Sequence, residues 1–325
     1  MELITSVNNQ RVKEVANLKQ KKYRTESGTF FAEGLRAVKE AVQYAHVTEL
    51  FYTESEKGKL GEILQAAESN CSVAEKNNKD IIVTKSSNTK IKNNKGNAIR
   101  LYQVDDKVMA KLSDTKTPQG VLAVIRMPEM NLQKLQPDVL RKYYRGRQYV
   151  SQSANWKPRN TEDKAVEPEI DNNAPVIILD RVQDPGNMGT VIRTADAVGA
   201  LGVILLEGCV DAYSPKVVRA SMGSLFHLPV VQDVFPEEAL TWCYRHGYEP
   251  AATAMKGAAN LYKTDISKKM AFIFGNEANG VSEELQAAAE TRLFIPMTGL
   301  AESMNVAMAA GIILFEGLRQ RKFIR

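Results

Sequence analysis

Three short segments combine glycine and asparagine with a few charged side chains. Glycine lets a ligand come close to the backbone, and a few directed polar groups can then hold it. The first segment is Asp184-Pro185-Gly186-Asn187-Met188-Gly189, with Arg193 about one turn into the helix expected after it. The second is Gly275-Asn276-Glu277-Ala278-Asn279-Gly280. The third runs from Ile295-Pro296-Met297-Thr298-Gly299 through Glu302-Ser303-Met304-Asn305. Each follows an apolar run that reads as a strand, and ligands of a parallel sheet gather beyond the carboxyl ends of its strands. Taken singly, each segment has a plainer explanation. Glu277 could cap a helix starting near Ser282, Ser303 could be an N-cap, and Arg193 could be a surface cation. Three such loops at one edge of one sheet point to a binding site.

Several chemistries lose support. Gly186 and Gly189 do not form the G-x-G-x-x-G fingerprint of dinucleotide sites, and no glycine run ends in Lys-Ser or Lys-Thr as a phosphate-binding loop requires. Cys71, Cys209 and Cys243 form no C-x-x-C pair, and His46, His227 and His246 do not group with them, so a metal-free chemistry is expected. The chain has 325 residues, 44% hydrophobic, with no apolar run long enough for a membrane helix. Met1 to Lys13 lacks the apolar stretch of a secretion signal, so a cytoplasmic location is expected.

The net charge is only +5, but it is unevenly spread. Residues 81 to 100 carry Lys85, Lys90, Lys92, Lys95 and Arg100 without an acid, and residues 141 to 159 carry six cations among Tyr143, Tyr144, Tyr149 and Trp156. Cations interleaved with aromatics suit a polyanion whose bases can stack, although charge runs more often form solvated surface.

The elements that must position these residues fall into two α/β parts. In the first, Asn8 to Tyr23 reads as a basic helix, Thr29 to Ala32 as a strand, and Leu35, Val38, Val42 and Ala45 as the stripe of a helix after Gly34. Strands are expected at Glu49 to Thr53, Asp80 to Thr84 and Val121 to Ile125, the last after the turn Pro118-Gln119-Gly120. Residues 129–175 read as a flexible linker or insertion, helical at most from Gln136 to Tyr144. In the second part, apolar strands near residues 176–179, 203–206, 228–231, 250–254, 271–274 and 293–295 alternate with helices at 188–198, 215–222, 236–245, 282–289 and 302–321. That alternation implies a parallel sheet covered on both faces.

The motifs Asn187-x-Gly189-x-x-x-Arg193, Gly275-Asn276-Glu277-x-x-Gly280 and Ile295-Pro296-Met297 with Ser303-x-Asn305 resemble those of the SpoU (TrmH) RNA methyltransferases of the SPOUT superfamily. Glu33-Gly34-x-Arg36, with Leu112-Ser113-Asp114 through Gln119-Gly120, resembles that family's L30e-like substrate-binding domain. The resemblance implies an L30e-like RNA-binding domain over 1–128, the insertion over 129–175, and over 176–325 a SPOUT domain with a C-terminal trefoil knot. It further implies a homodimer that uses S-adenosylmethionine to methylate a ribose 2′-hydroxyl, in ribosomal RNA by virtue of the first domain. A transfer RNA enzyme of the same chemistry, or a non-catalytic RNA-binding assembly factor of the same fold, are the competing readings. Arg193 would orient the hydroxyl and stabilise a developing alkoxide as a permanent cation. Asn187 and Glu277 would hold its loop, and Ser303 and Asn305 would position substrate or the knot loop. Gly275, Ile295 and Met304, with Thr253 and Ala254, would line the cofactor pocket. Met304 stands where the family commonly has leucine. Arg11, Lys19, Lys22, Lys90, Lys92 and Lys95 would contact phosphates.

Overall fold

The computed structural model describes residues 3–63, 90–92, 98–137, 139–140, 171–254 and 257–322. The expected strand at 80–84, Lys95 and the aromatics at 143–156 lie outside them.

The chain begins with β1 (Leu3–Ile4), α1 (Gln10–Asn17), α2 (Lys21–Ser27), β2 (Thr29–Glu33), α3 (Leu35–Tyr44) and β3 (Val47–Tyr52). It continues with β4 (Lys90–Lys92), β5 (Ala98–Val104), α4 (Asp106–Leu112) and β6 (Val121–Arg126). These strands form one mixed sheet in the order β1-β5-β3-β6-β2, with β4 against β5. The single helix expected from Asn8 to Tyr23 is two helices. Asn9 caps α1 by accepting from the N–H groups of Arg11 and Val12, and Gly28, at φ 61°, ends α2. The break between them has a packing cause. Val12, Val15 and Leu18 pack on the first sheet, whereas Arg24 is turned toward Asp211.

The second part comprises β7 (Val176–Leu179), α5 (Pro185–Ala197), β8 (Gly202–Leu206), α6 (Pro215–Ala220), β9 (Val230–Val234), α7 (Pro236–Arg245) and β10 (Glu249–Thr253). It ends with β11 (Ala259–Asn260), β12 (Met270–Phe274), α8 (Glu283–Ala288), β13 (Thr291–Phe294) and α9 (Val306–Lys322). The seven strands pair in the order β11-β13-β10-β12-β7-β8-β9, and every pairing is parallel. Val176 to Leu179 is buried throughout because helices cover both faces of the sheet. On one face, Val191 and Ile192 of α5, Val217 of α6 and Ile313 and Leu314 of α9 join a cluster with Ile177, Val203 and Phe272. On the other, Leu240 and Trp242 of α7 and Leu285 of α8 pack with Ile178, Ile204 and Ile273.

Three further expectations need correction. The segment from 129 to 140 is not a free linker, because Leu135 and Leu140 are fully buried on the second sheet and Trp242 Nε1 donates to Leu132 O at 2.9 Å. Helix α5 begins at Pro185, three residues before Met188, because Asp184 caps it by accepting from the Asn187 N–H at 2.8 Å. Helix α9 starts at Val306 rather than Glu302, and Glu302 to Asn305 is exposed loop.

The two sheets share one apolar cluster, running from Phe30, Val38 and Leu50 to Ile177, Val203 and Phe226. Polar contacts reinforce that junction. Arg24, 2% exposed, directs Nε (2.9 Å) and Nη2 to Asp211, and Nη1 to Leu18 O at 2.6 Å. Arg219 reaches Asp114 at 2.9 Å and Glu33 at 3.3 Å.

Candidate functional site

The three loops do converge. A cleft of about 460 Å³ opens at the carboxyl ends of β10, β12 and β13, lined by Thr253, Ala254, Gly275, Glu277, Ile295, Ser303, Met304 and Asn305, with Val306 and Ile313 of α9 behind them. That volume lies within the roughly 300–1,000 Å³ usual for small-ligand sites.

A relay of amides and a carboxylate ties the loops together. Asn305 Nδ2 donates to Asn187 Oδ1 at 2.9 Å, and Asn187 Nδ2 donates to Glu277 Oε1 at 3.0 Å. Glu277 also accepts from the backbone N–H groups of Gln183 and Asp184, at 3.3 and 3.2 Å. Partial burial would raise the Glu277 carboxyl, but these hydrogen bonds outweigh it and hold its pKa below the ordinary carboxylate value. Glu277 therefore clamps the entry to α5 instead of capping α8. The cap of α9 is Asn305, not Ser303, since Asn305 Oδ1 accepts from the N–H groups of Ala307 (2.9 Å) and Met308 (3.3 Å).

Gly275 lines the cleft and also shapes its own loop. A Cβ there would collide with the Gly280 carbonyl carbon and Val281 nitrogen. The close approach that glycine permits is the loop closing on itself, through the paired Asn276 and Gly280 backbone bonds of 3.0 and 2.8 Å. Two neighbours missed in the sequence complete the scaffold. Asp180, 2% exposed, accepts from the Ser282 N–H at 2.7 Å, and Asn276 Nδ2 donates to the carbonyl of Arg181, which sits at φ 54°. The only sequence signal was a carboxylate at the end of a fully apolar strand.

Arg193 does not line this cleft. It lies six residues beyond Asn187, about 9 Å along α5 and about a third of a turn around it, and is exposed. It forms no ion pair or side-chain hydrogen bond among the described residues. Beside it, α9 packs on α5 and turns Met308 (60% exposed) and Phe315 (52%) to solvent.

The cations expected to meet phosphates divide. Arg11 pairs with Glu14 and with the buried Glu49, both at 2.7 Å. Lys19 Nζ donates to the carbonyls of Lys111 (2.9 Å) and Ser113 (2.5 Å), and burial lowers its pKa. Lys22 is exposed beside Glu26. Lys90 and Lys92 form β4, and their side chains lie outside the described residues. Next to the first motif loop, the exposed Lys216 of α6 lies 3.8 Å from Asp184; Arg36 is exposed at the start of α3. Among the described residues, no three His, Cys, Asp or Glu side chains group as metal ligands do, and no helix is long and apolar enough to cross a membrane.

Known proteins are similar to this chain in sequence and fold. Residues 174–315 match the model of the SpoU rRNA Methylase family, and residues 9–123 match an MRM3-like substrate binding domain. The chain is 30% identical over 315 residues to the Bacillus subtilis (strain 168) 23S rRNA (guanosine(2553)-2′-O)-methyltransferase RlmP, covering 97% of this chain and 98% of that one. It is 39% identical over 150 residues to a Streptomyces viridochromogenes 23S rRNA (uridine(2479)-2′-O)-methyltransferase, covering 45% and 52%. The crystal structure of an AdoMet-bound rRNA methyltransferase from Sinorhizobium meliloti superposes with a TM-score of 0.72 at 28% identity, covering 99% of each chain.

Proposed function

The chain belongs to the SpoU rRNA methylase family, and from that premise we propose that it transfers the methyl group of S-adenosylmethionine to a ribose 2′-hydroxyl of ribosomal RNA. The observation that carries this reading is the Asn305–Asn187–Glu277 relay, which draws the three loops around one cleft. The cleft suits the cofactor. Leu293, Ile295, Met304 and Ile313 offer apolar surface to an adenosine, and the loop backbones at Gly275 and Met297 offer hydrogen bonds at its rim. When bound, S-adenosylmethionine supplies a sulfonium methyl whose leaving group departs neutral. The protein must therefore work on the weak nucleophile. Arg193 orients the ribose hydroxyl, or the phosphate beside it, and stabilises the alkoxide that develops. Asn187, Glu277 and Asn305 fix the loop from which α5 projects, and Ser303 faces the substrate.

Because Arg193 stands on the outer face of α5, it serves the cleft of a second copy. The exposed Met308 and Phe315 on the adjoining α9 support a homodimer built on these two helices. In this reading residues 1–128 bind RNA, 129–175 are an insertion, and 176–325 carry the transfer. The C-terminal segment forms a trefoil knot, a reading supported by Asn305 crossing to Asn187 just before α9 packs on α5. The RNA-facing cations are Arg36, Lys216 and Lys22, with Lys90, Lys92 and Lys95, rather than the occupied Arg11 and Lys19. The setting is the cytoplasm, in keeping with the free thiols of Cys209 and Cys243.

Three experiments test the reading. Calorimetry with S-adenosylmethionine must show binding, and labelled cofactor must mark in vitro transcribed 23S rRNA at a 2′-hydroxyl; absence of either defeats it. Mixing the inactive variants Arg193→Ala and Glu277→Ala must restore about a quarter of wild-type activity, since half of randomly formed dimers are mixed and one of their two sites is intact. No restoration would place Arg193 in its own protomer's site.

A further inference from the structure

His227 lies in the junction between the two sheets, away from the cleft. Its Nδ1 is 3.0 Å from Asp196 Oδ2 on α5, and its Nε2 is 3.0 Å from Glu40 Oε2 on α3. A neutral imidazole carries one N–H, so it could donate to only one of these carboxylates and would set a lone pair against the other. Two carboxylates at hydrogen-bonding distance require both nitrogens to donate, and the ring is therefore an imidazolium. The site is enclosed, with side-chain exposures of 21% for His227, 24% for Glu40 and 17% for Asp196. The Tyr44 ring stands edge-on to the imidazole at 4.5 Å between centroids. The turn before it fits as closely: Met222 adopts φ 52°, and a Cβ on Gly223 would come within 2.9 Å of the Glu40 side chain.

The two carboxylates belong to elements with separate tasks. Helix α3 follows directly from the Glu33-Gly34 turn and carries Arg36. Helix α5 carries Asn187 at its start and Arg193 three residues before Asp196. We propose that His227 is a positioning residue: as a cation it locks the first domain onto α5, and so fixes the distance between the RNA-facing surface and the cleft. The lock itself follows from the junction geometry, while its consequence for RNA rests on the methyltransferase reading above.

The lock has a defined pH range. Burial lowers the His227 pKa, but the hydrogen bonds and charges of Asp196 and Glu40 outweigh it and raise the pKa to about 9. Besides these two, Tyr44 from α3 faces the ring, and the cavity that His227 borders is also lined by His46, Arg126, Glu129, Lys134 and Tyr213. A raised pKa means the lock is complete below the ordinary histidine value of 6.5 and is lost as pH climbs through about 9.

The test uses the full chain and the variants His227→Gln and His227→Lys. In the wild type, the imidazole followed by NMR must titrate near the raised value; titration at the ordinary value overturns the proposal. In His227→Gln, hydrogen exchange of α3 amides must quicken and the KM for in vitro transcribed 23S rRNA must rise about fivefold or more, with cofactor affinity and kcat held. Unchanged exchange and KM overturn it. His227→Lys must restore docking and remove the alkaline rise in KM that the wild type shows through about pH 9; a rise that persists in the lysine variant overturns the proposal. If the wild type methylates no RNA, the function fails, yet titration and exchange still decide the lock.

Discussion

The rim of the cleft and the junction between the two sheets are both held by polar side chains, but in opposite environments. At the rim, Asn187, Glu277 and Asn305 are half-buried or exposed, and the links are mostly single bonds from amides, each worth about 0.5–1.5 kcal/mol. At the junction, Arg24 and Asp211 are almost wholly buried and meet as opposite charges. A charge stranded there has no water to turn to. The difference divides labour: the rim can loosen to admit a ligand at modest cost, whereas the Arg24–Asp211 contact holds its geometry or fails outright.

The contrast is sharpest in the variants that strand a charge. Asp211→Ala leaves the Arg24 guanidinium buried without its partner and should cost about 3–5 kcal/mol of stability, read from denaturant unfolding. Arg193→Ala should do the reverse. Activity should fall about 10²–10³-fold, while cofactor affinity by calorimetry and the unfolding midpoint stay at wild-type values, because this side chain is exposed and supports no fold contact. Gly189→Ala probes the apolar packing between these regions. Its Cβ would lie 2.9 Å from the Ser221 backbone nitrogen, so prying α6 from α5 should cost about 1–3 kcal/mol. Asn187→Ala cuts the relay at its centre. It should weaken cofactor binding about tenfold with about 1–2 kcal/mol lost in global stability, reflecting two exposed hydrogen bonds. The smallest effect concerns acid. Because the folded Glu277 pKa lies below 4.5, its stabilisation is present at neutral pH and is lost as pH falls from 4.5 through that lower value. Glu277→Gln should remove that portion of the acid-side decline in the unfolding midpoint.

Much of the second sheet could be read from the chain alone. Val176 to Leu179 and Ala271 to Phe274 are continuous apolar runs, and Pro236 to Arg245 opens on proline and keeps helical spacing. The three motif loops were legible for the same reason, since glycine and asparagine interrupt those runs at fixed places. Side-chain geometry was not legible. Whether Arg193 turns toward or away from the cleft depends on which face of α5 packs on the sheet, and Val191, Ile192 and Ala195 set that face. Lys19 and Arg11 looked like free surface charge because their partners, the carbonyls of Lys111 and Ser113 and the carboxylate of Glu49, are distant in sequence. His227 was passed over because its meaning comes from two carboxylates, 187 and 31 residues away, that only the folded junction assembles.

Asn305 uses both ends of one amide at once, its oxygen for the first turn of α9 and its nitrogen for Asn187. Synthesis runs from the amino end, so α5 and the Glu277 loop emerge well before the segment that joins them. Glu277 can join the first two loops by itself, but until α9 has wound and seated nothing draws the third loop to them. A partly made or truncated chain would thus be unable to methylate RNA, and competence for chemistry would arrive together with the final fold.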